Sequence, residues 1–370
     1  DPPVGRIRNR CLTGILTITI IINIILPDVS ILWQAGYSLK RIRQRRNIRG
    51  LRYTDDSSGE IVSYWAVKIG RSRPDIDIAG SPERTAHRLV LEDEGTGLWI
   101  LEAIPPNTRE HKLRICEALA GLHDRGLETV HPYLPDAEDR LLVRHGGNDW
   151  QIRPFVEGVP LPRPQYIQDS WRGGACADFL LDLRGKARDL PVLDQKSPFS
   201  MTRFIHEMYD TMAEYNPETH GRMRQAFEFM EQEFADTEDA FPVVFCHGDF
   251  HPLNVIWSEN GIKSVIDWEF LGYKPEVYDL ANLIGCVGFE DPAGLAQDLV
   301  TELLSRMKKA NVLSPACWRQ LVEWVVAIRF AWLSDWLRRR DREMIDLEVA
   351  YVHLLMDNRR ALKDIWKQAV

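Results

Sequence analysis

The stretch from 243 to 279 constrains this chain more than any other. Val243, Val244 and Phe245 form an apolar run that reads as a strand, and it feeds a polar loop carrying His247, Asp249, His251 and Asn254. Val255, Ile256 and Trp257 continue as a second short strand. Ser258, Glu259, Asn260 and Gly261 supply the turn, Asn-Gly being the strongest short-range hairpin signal. Residues 262–266 return as the partner strand, with Asp267 and Glu269 just past its end. Such a hairpin brings Asn254 and Asp267 to the same end of one ladder. Asp249, five positions before Asn254, can sit over that end. A loop able to orient a hydroxyl, beside two oxygen ligands for a hard cation, is the set of groups that phosphoryl transfer requires.

His247, Gly248 and Asp249, with Asn254 five after the Asp, resemble the catalytic loop of the aminoglycoside phosphotransferase and choline kinase family. Ile266, Asp267, Trp268 and Glu269 resemble its metal-binding segment, and Tyr278, Asp279, Leu280 and Ala281 its downstream structural Asp. Three elements in order and at the right separations are a specific signal. The resemblance is sharp over 241–285, extends over 78–370 and says nothing of 1–70. It implies an α+β, two-lobed protein-kinase-like fold with a small β-rich amino lobe and a larger, mainly helical carboxy lobe. It implies ATP and Mg²⁺ as cofactors and a small molecule bearing a hydroxyl as acceptor. Asp249 would orient the hydroxyl and accept its proton. His247 would hold the loop, Asn254 and Asp267 would ligate Mg²⁺, and Glu269 would hold a second metal directly or through water. Asp279 would brace the loop. Two rivals stand beside this reading: a pseudokinase that binds nucleotide without turnover, and a metallohydrolase built on the alternation of His247, Asp249 and His251.

Charge is divided along the chain. The whole carries −8, but residues 1–50 hold nine Lys/Arg against two Asp/Glu, so the remainder is acidic. An acidic body argues against nucleic acid and suits a cationic or polyhydroxyl substrate. The six Cys show no Cys-x-x-Cys pair, which favours a reducing, cytoplasmic setting over a zinc or disulfide framework. Cys246 reads as a small hydrophobe at a strand end. Residues 11–26 are uncharged and Ile-rich but shorter than the ~20 residues a spanning helix needs, and six basic residues follow within 40–49. Contact of 11–26 with a membrane is the alternative to a plain extension; the expected extension runs over 1–73.

A small nucleotide-binding lobe is expected over 74–157 and a catalytic and substrate-binding lobe over 158–370. In the small lobe, strands are expected at 76–79, 88–91 and 98–101, and a helix over 108–125. The turn at Gly80, Ser81 and Arg84 would lie over the nucleotide phosphates. Arg153, Phe155 and Val156 would form the segment between lobes that meets adenine. The third strand departs from the family pattern: Glu102 stands where a phosphate-gripping Lys is expected, leaving Arg84, Arg88, Lys112 and Lys68 as substitute cations. In the large lobe, helices are expected near 175–188, 200–214, 219–236, 292–309, 315–338 and 341–366. Trp332, Asp335 and Trp336 are the expected acceptor contacts, acidic and aromatic groups suiting an amine or a sugar.

Overall fold

A computed structural model describes residues 55–76, 78, 85, 87–190, 199–234, 238–239 and 241–369. The expectations for residues 1–50, including the run 11–26, and for Gly80, Ser81 and Arg84 lie outside them. The first lobe is a five-stranded antiparallel sheet in the order β1-β2-β3-β5-β4: β1 (Ile69–Ser72), β2 (His87–Asp93), β3 (Leu98–Ile104), β4 (Val143–His145) and β5 (Asn148–Pro154). The β2–β3 hairpin turns at residues 94–97, where the Asp93 carboxylate accepts from the Gly95 and Gly97 N–H groups and from the Trp99 indole. Side-chain capture of this kind is why Asp favours turns.

This lobe begins earlier than expected. β1 pairs with β2, and Ile61, Val62 and Trp65, on and just after helix α1 (Asp55–Val62), are buried with Leu91, Leu101, Trp150 and Ile152. The sheet therefore extends before the boundary set at 73/74. Its first strand is 69–72, whereas residues 74–76 turn. Helix α2 (Arg109–Asp124) follows β3. Its buried face runs through Lys112, Ile115, Cys116, Leu119 and Leu122, one stripe at helical spacing with a Lys at its head.

The second lobe is helical: α3 (Ser170–Lys186), α4 (Met201–Tyr215), α5 (Pro217–Glu233), α6 (Tyr278–Glu290), α7 (Asp298–Ala310), α8 (Pro315–Arg339), α9 (Arg342–Asp357) and α10 (Arg359–Ala369). Ser200, Asn216, Ser314 and Asp341 cap α4, α5, α8 and α9 by accepting N–H groups of the first turn. Helix α6 has no counterpart among the expected helices. It is buried on nearly every side, so its sequence shows no polar stripe to mark it. Two small ladders carry the loops: β6 (Val243–Cys246) with β9 (Gly272–Pro275), and β7 (Val255–Trp257) with β8 (Ile262–Val265). The second of these is the hairpin expected from Asn260-Gly261.

The lobes join at residues 155–162. Val159 donates its N–H to the Trp257 carbonyl at 2.9 Å, and Lys263 reaches the Glu157 carbonyl. Gly158 sits so close to this hairpin that a Cβ there would lie 2.4 Å from an Ile256 methyl. No helix among the described residues is long and apolar enough to cross a membrane.

Candidate active site

The loop between β6 and β7 is built around one buried carboxylate. Asp279, in the first turn of α6, accepts from the His247 N–H at 2.7 Å and the Gly248 N–H at 2.8 Å. Burial pushes its carboxyl up, against the pull of His247, the two N–H donors and Lys274. Gly248 lies at φ +83°, and an added Cβ would collide with the Phe270 carbonyl at 2.0 Å. Only glycine meets both demands.

His247 is fully buried and both its ring nitrogens are engaged. Nδ1 accepts the Asp249 N–H at 3.1 Å, and Nε2 stands 3.0 Å from the Ile266 carbonyl, to which it donates in the matching tautomer. Burial holds its imidazole below the usual range, hence neutral. This leaves no lone pair for a metal. His251 uses Nδ1 to accept the Leu253 N–H. Among the described residues no three His, Cys, Asp or Glu are placed to hold a metal ion. The His-based metallohydrolase therefore lacks its ligand set. Cys246 is buried beside Asp279, and burial pushes its thiol far above the range in which a thiolate forms.

Asp249 and Asn254 are tied together. The Asn254 amide donates to the Asp249 carbonyl at 2.9 Å and to its carboxylate at 3.1 Å. The Asn254 Oδ1 is then the atom left for a cation. The Ile266 N–H bonds the Asn254 carbonyl, which draws the end of β8 against the loop and delivers Asp267 beside it. Asp267 holds φ +64°, a strained conformation for a residue with a Cβ. Two hard oxygen groups at one wall fit Mg²⁺, which keeps several waters and takes only one or two protein ligands.

These groups open onto a cavity of about 470 Å³. Gly248, Asp249, His251, Asn254 and Asp267 form one side; Phe199, Phe204, Phe270 and Tyr278 supply aromatic walls; Trp332, Asp335, Arg338 and Arg339 of α8 face them; and Lys274 is among the remaining lining residues. Helix α8 is fixed by an ion pair out of contact with water. Arg329 donates to both Glu348 oxygens at 2.6 and 2.7 Å, and the Trp336 indole donates to the same carboxylate at 3.1 Å. One turn away, Trp332 donates to Asn282, which donates to the Phe250 carbonyl. The α8 wall and the loop are thus parts of one hydrogen-bonded chain.

Several expected site residues stand elsewhere. Trp336 does not line the cavity; it is buried behind Trp332, a core residue with its N–H committed to Glu348. Asp335 does line it, but Arg338 and Arg339 neutralise it, the latter at 2.7 Å. On this helix face the two arginines outnumber the carboxylate. Glu269 is not on the cavity either. It pairs with Lys112 of α2, and its carbonyl lies 3.0 Å from His111 Nε2. Arg153 is the penultimate residue of β5, with Phe155 beyond it bonding Leu98 and Val156 leading into the linker; the three lie on the segment between the lobes, off this cavity.

Glu102 is buried in β3 and fully satisfied. Arg88 pairs with it at 2.6 Å, Gln151 donates at 2.8 Å and the Tyr133 hydroxyl at 3.1 Å. Burial pushes its carboxyl up, but Arg153, Arg88, Gln151 and Lys112 outweigh that and carry it down to about 2. Of the substitute cations, Lys68 is exposed ahead of β1 and Arg88 is committed to Glu102. Lys112 remains, buried at the head of α2 and tied to the Asp267–Glu269 segment.

A family model described as phosphotransferase enzyme family matches residues 83–324. No curated protein matches the sequence significantly. Among solved structures, an aminoglycoside phosphotransferase from Alicyclobacillus acidocaldarius superposes with TM-score 0.60 at 14% identity, covering 88% of this chain and 99% of its own. An amicoumacin kinase in complex with AMP-PNP and Ca²⁺ reaches 0.60 at 14% identity, covering 83% and 94%. A choline/ethanolamine kinase family protein from Mesorhizobium loti reaches 0.55 at 16%, covering 84% and 99%. At such identities the likeness is one of fold: a sheet lobe and a helical lobe in the protein-kinase-like arrangement.

Proposed function

The chain belongs to the phosphotransferase enzyme family, and from that membership we propose that it moves the γ-phosphoryl group of ATP to a hydroxyl of a small molecule. The observation that carries this reading is the convergence of Asp249, Asn254 and Asp267 on one wall of an aromatic-lined cavity of small-molecule size. Bound Mg-ATP supplies an electrophilic γ-phosphoryl group with its charge partly offset by the metal. Asn254 and Asp267 hold the Mg²⁺. Asp249 orients the acceptor hydroxyl and takes its proton, while the Asn254 amide keeps the carboxylate turned to the cavity. His247, locked between Asp249 and Ile266, sets the loop and takes no part in proton transfer. Phe155 and Val156 meet the base of the nucleotide. Lys112 supplies the phosphate-facing cation that β3 does not, with Glu269 as its anchor. A nucleotide complex of the amicoumacin kinase, with AMP-PNP and Ca²⁺, supports nucleotide and divalent cation as partners for this fold.

The pseudokinase reading rested on Glu102 in place of a Lys. That Glu is accounted for inside the lobe by Arg88, Gln151 and Tyr133, while Asp249, Asn254 and Asp267 are all present at the cavity. The test is ATP consumption by purified protein with Mg²⁺ and a pool of amino alcohols, sugars, hydroxy acids and aminoglycosides. Turnover is expected, and its loss in Asp249→Asn. ATP bound but never consumed across the pool would favour the pseudokinase.

A further inference from the structure

Lys274 is the one cation of the cavity lining with no hydrogen-bonded ion pair among the described residues; the buried Asp279 carboxylate acts on it only through space. It is 9% exposed, on β9 opposite Val244, and lines the cavity with Asp249. Its ammonium lies 4.9 Å from the Phe199 ring centroid and 5.1 Å from that of Tyr278, and its Cε packs beneath Gly248. The other two cations, Arg338 and Arg339, are turned to the one Asp335 carboxylate. The lining carboxylates are spent, Asp335 on those arginines, Asp249 on the acceptor hydroxyl and Asp267 on the metal in the proposed reaction. A buried ammonium whose N–H groups meet ring faces and no hydrogen-bond acceptor is costly to keep. Two arginines share one carboxylate, so the acceptor space is positive on balance, and Lys274 is its one ammonium, within an aromatic enclosure.

We propose that the acceptor is a hydroxy acid, its carboxylate held by the Lys274 ammonium while its hydroxyl meets Asp249. This rests on the kinase reading above and narrows its substrate class. A single ammonium matches the single charge of a carboxylate. A phosphate dianion would call for several donors converging on it, and the two cavity arginines are turned to Asp335. The aromatic walls would cover the apolar body of the ligand. The same arrangement disfavours polycationic acceptors such as aminoglycosides, which would meet Lys274, Arg338 and Arg339.

The test uses matched pairs that differ only in the carboxylate: 4-(hydroxymethyl)benzoate against its amide, and homoserine against 3-aminopropan-1-ol, each with saturating Mg-ATP. The acid of each pair is expected to show a kcat/KM at least tenfold higher, carried in KM. Lys274→Met, which keeps the aliphatic stem, is expected to bring the acid down to the level of its neutral partner with KM for ATP unchanged. Thermal melting of the variant at the wild-type midpoint shows that the fold is kept. Equal use of acid and neutral partner overturns the proposal. So does an equal loss of both in Lys274→Met, or a rise in KM for ATP, which would assign Lys274 to the nucleotide. Turnover of the neutral members that Asp249→Asn abolishes would leave the kinase reading standing while this one fell.

Discussion

Asp249, Gly248 and Asp279 are three residues with separable jobs, and substitution should separate them. Asp249→Asn keeps the bond from Asn254 but loses the proposed proton acceptor. Transfer should fall by about 10²–10⁴-fold, with nucleotide binding and melting temperature unchanged. Gly248→Ala acts on conformation: φ +83° and a Cβ 2.0 Å from the Phe270 carbonyl demand a shift of the whole loop. It should abolish turnover and lower the melting temperature together. Asp279→Ala leaves two buried N–H groups without an acceptor, at about 1–3 kcal/mol each, and chemical denaturation should report that loss. At this scale the sequence was informative where chemistry is local. The spacing of His247, Asp249, Asn254 and Asp267 and the Asn-Gly turn depend on nearby residues alone. Trp336 and Lys274 were misjudged or missed because burial and partners arise from distant chain. On a Trp-rich helix, the sequence does not separate the core side from the cavity side.

Elements set where these residues stand. The Arg329–Glu348 pair joins α8 to α9 behind the cavity wall. Removing one partner leaves a buried charge, so Glu348→Ala should cost about 3–5 kcal/mol by denaturant unfolding and weaken acceptor binding through Trp332. On the nucleotide side, β3 and α2 carry Glu102 and Lys112, the reverse of the Lys and Glu that kinase folds place on strand and helix. Lys112→Met should raise KM for ATP by about tenfold or more, the value of one charged contact, with acceptor KM unchanged. Glu102 also predicts a pH dependence. Its folded-state value of about 2 lies below the ordinary carboxylate range. Its stabilisation is thus fully present above the unfolded value and is lost as pH falls from about 4.3 towards 2. The melting temperature should fall with pH across that window for wild type and fall less for Glu102→Gln. The strands at 88–91 and 98–101 and the helix at 108–125 were readable from periodicity. Helix α6 was not, because uniform apolarity erases the helical period, and β1 was not, because four residues carry too little pattern.

As a whole molecule, the chain is a sheet lobe and a helical lobe joined by a short linker, with cross-lobe contacts from Lys112 and His111 to Glu269 and from the Val265 N–H to the Thr129 carbonyl. The two-lobed reading followed from a resemblance centred on one lobe, since that lobe's loops carry the recognisable spacing. The small lobe's extent was less legible, because its Trp65 core is supplied by a segment without motif. The proposed division of labour between lobes is central: nucleotide phosphates met by Lys112 on one side, hydroxyl activated at Asp249 on the other. The most direct measurement follows the label of γ-labelled Mg-ATP through a single turnover with stoichiometric protein and a hydroxy-acid acceptor. The label should pass to the acceptor hydroxyl with wild type and remain on ATP with Asp249→Asn, although both bind the nucleotide equally. Label that stays on ATP with wild type, or that passes equally with the variant, would contradict the account.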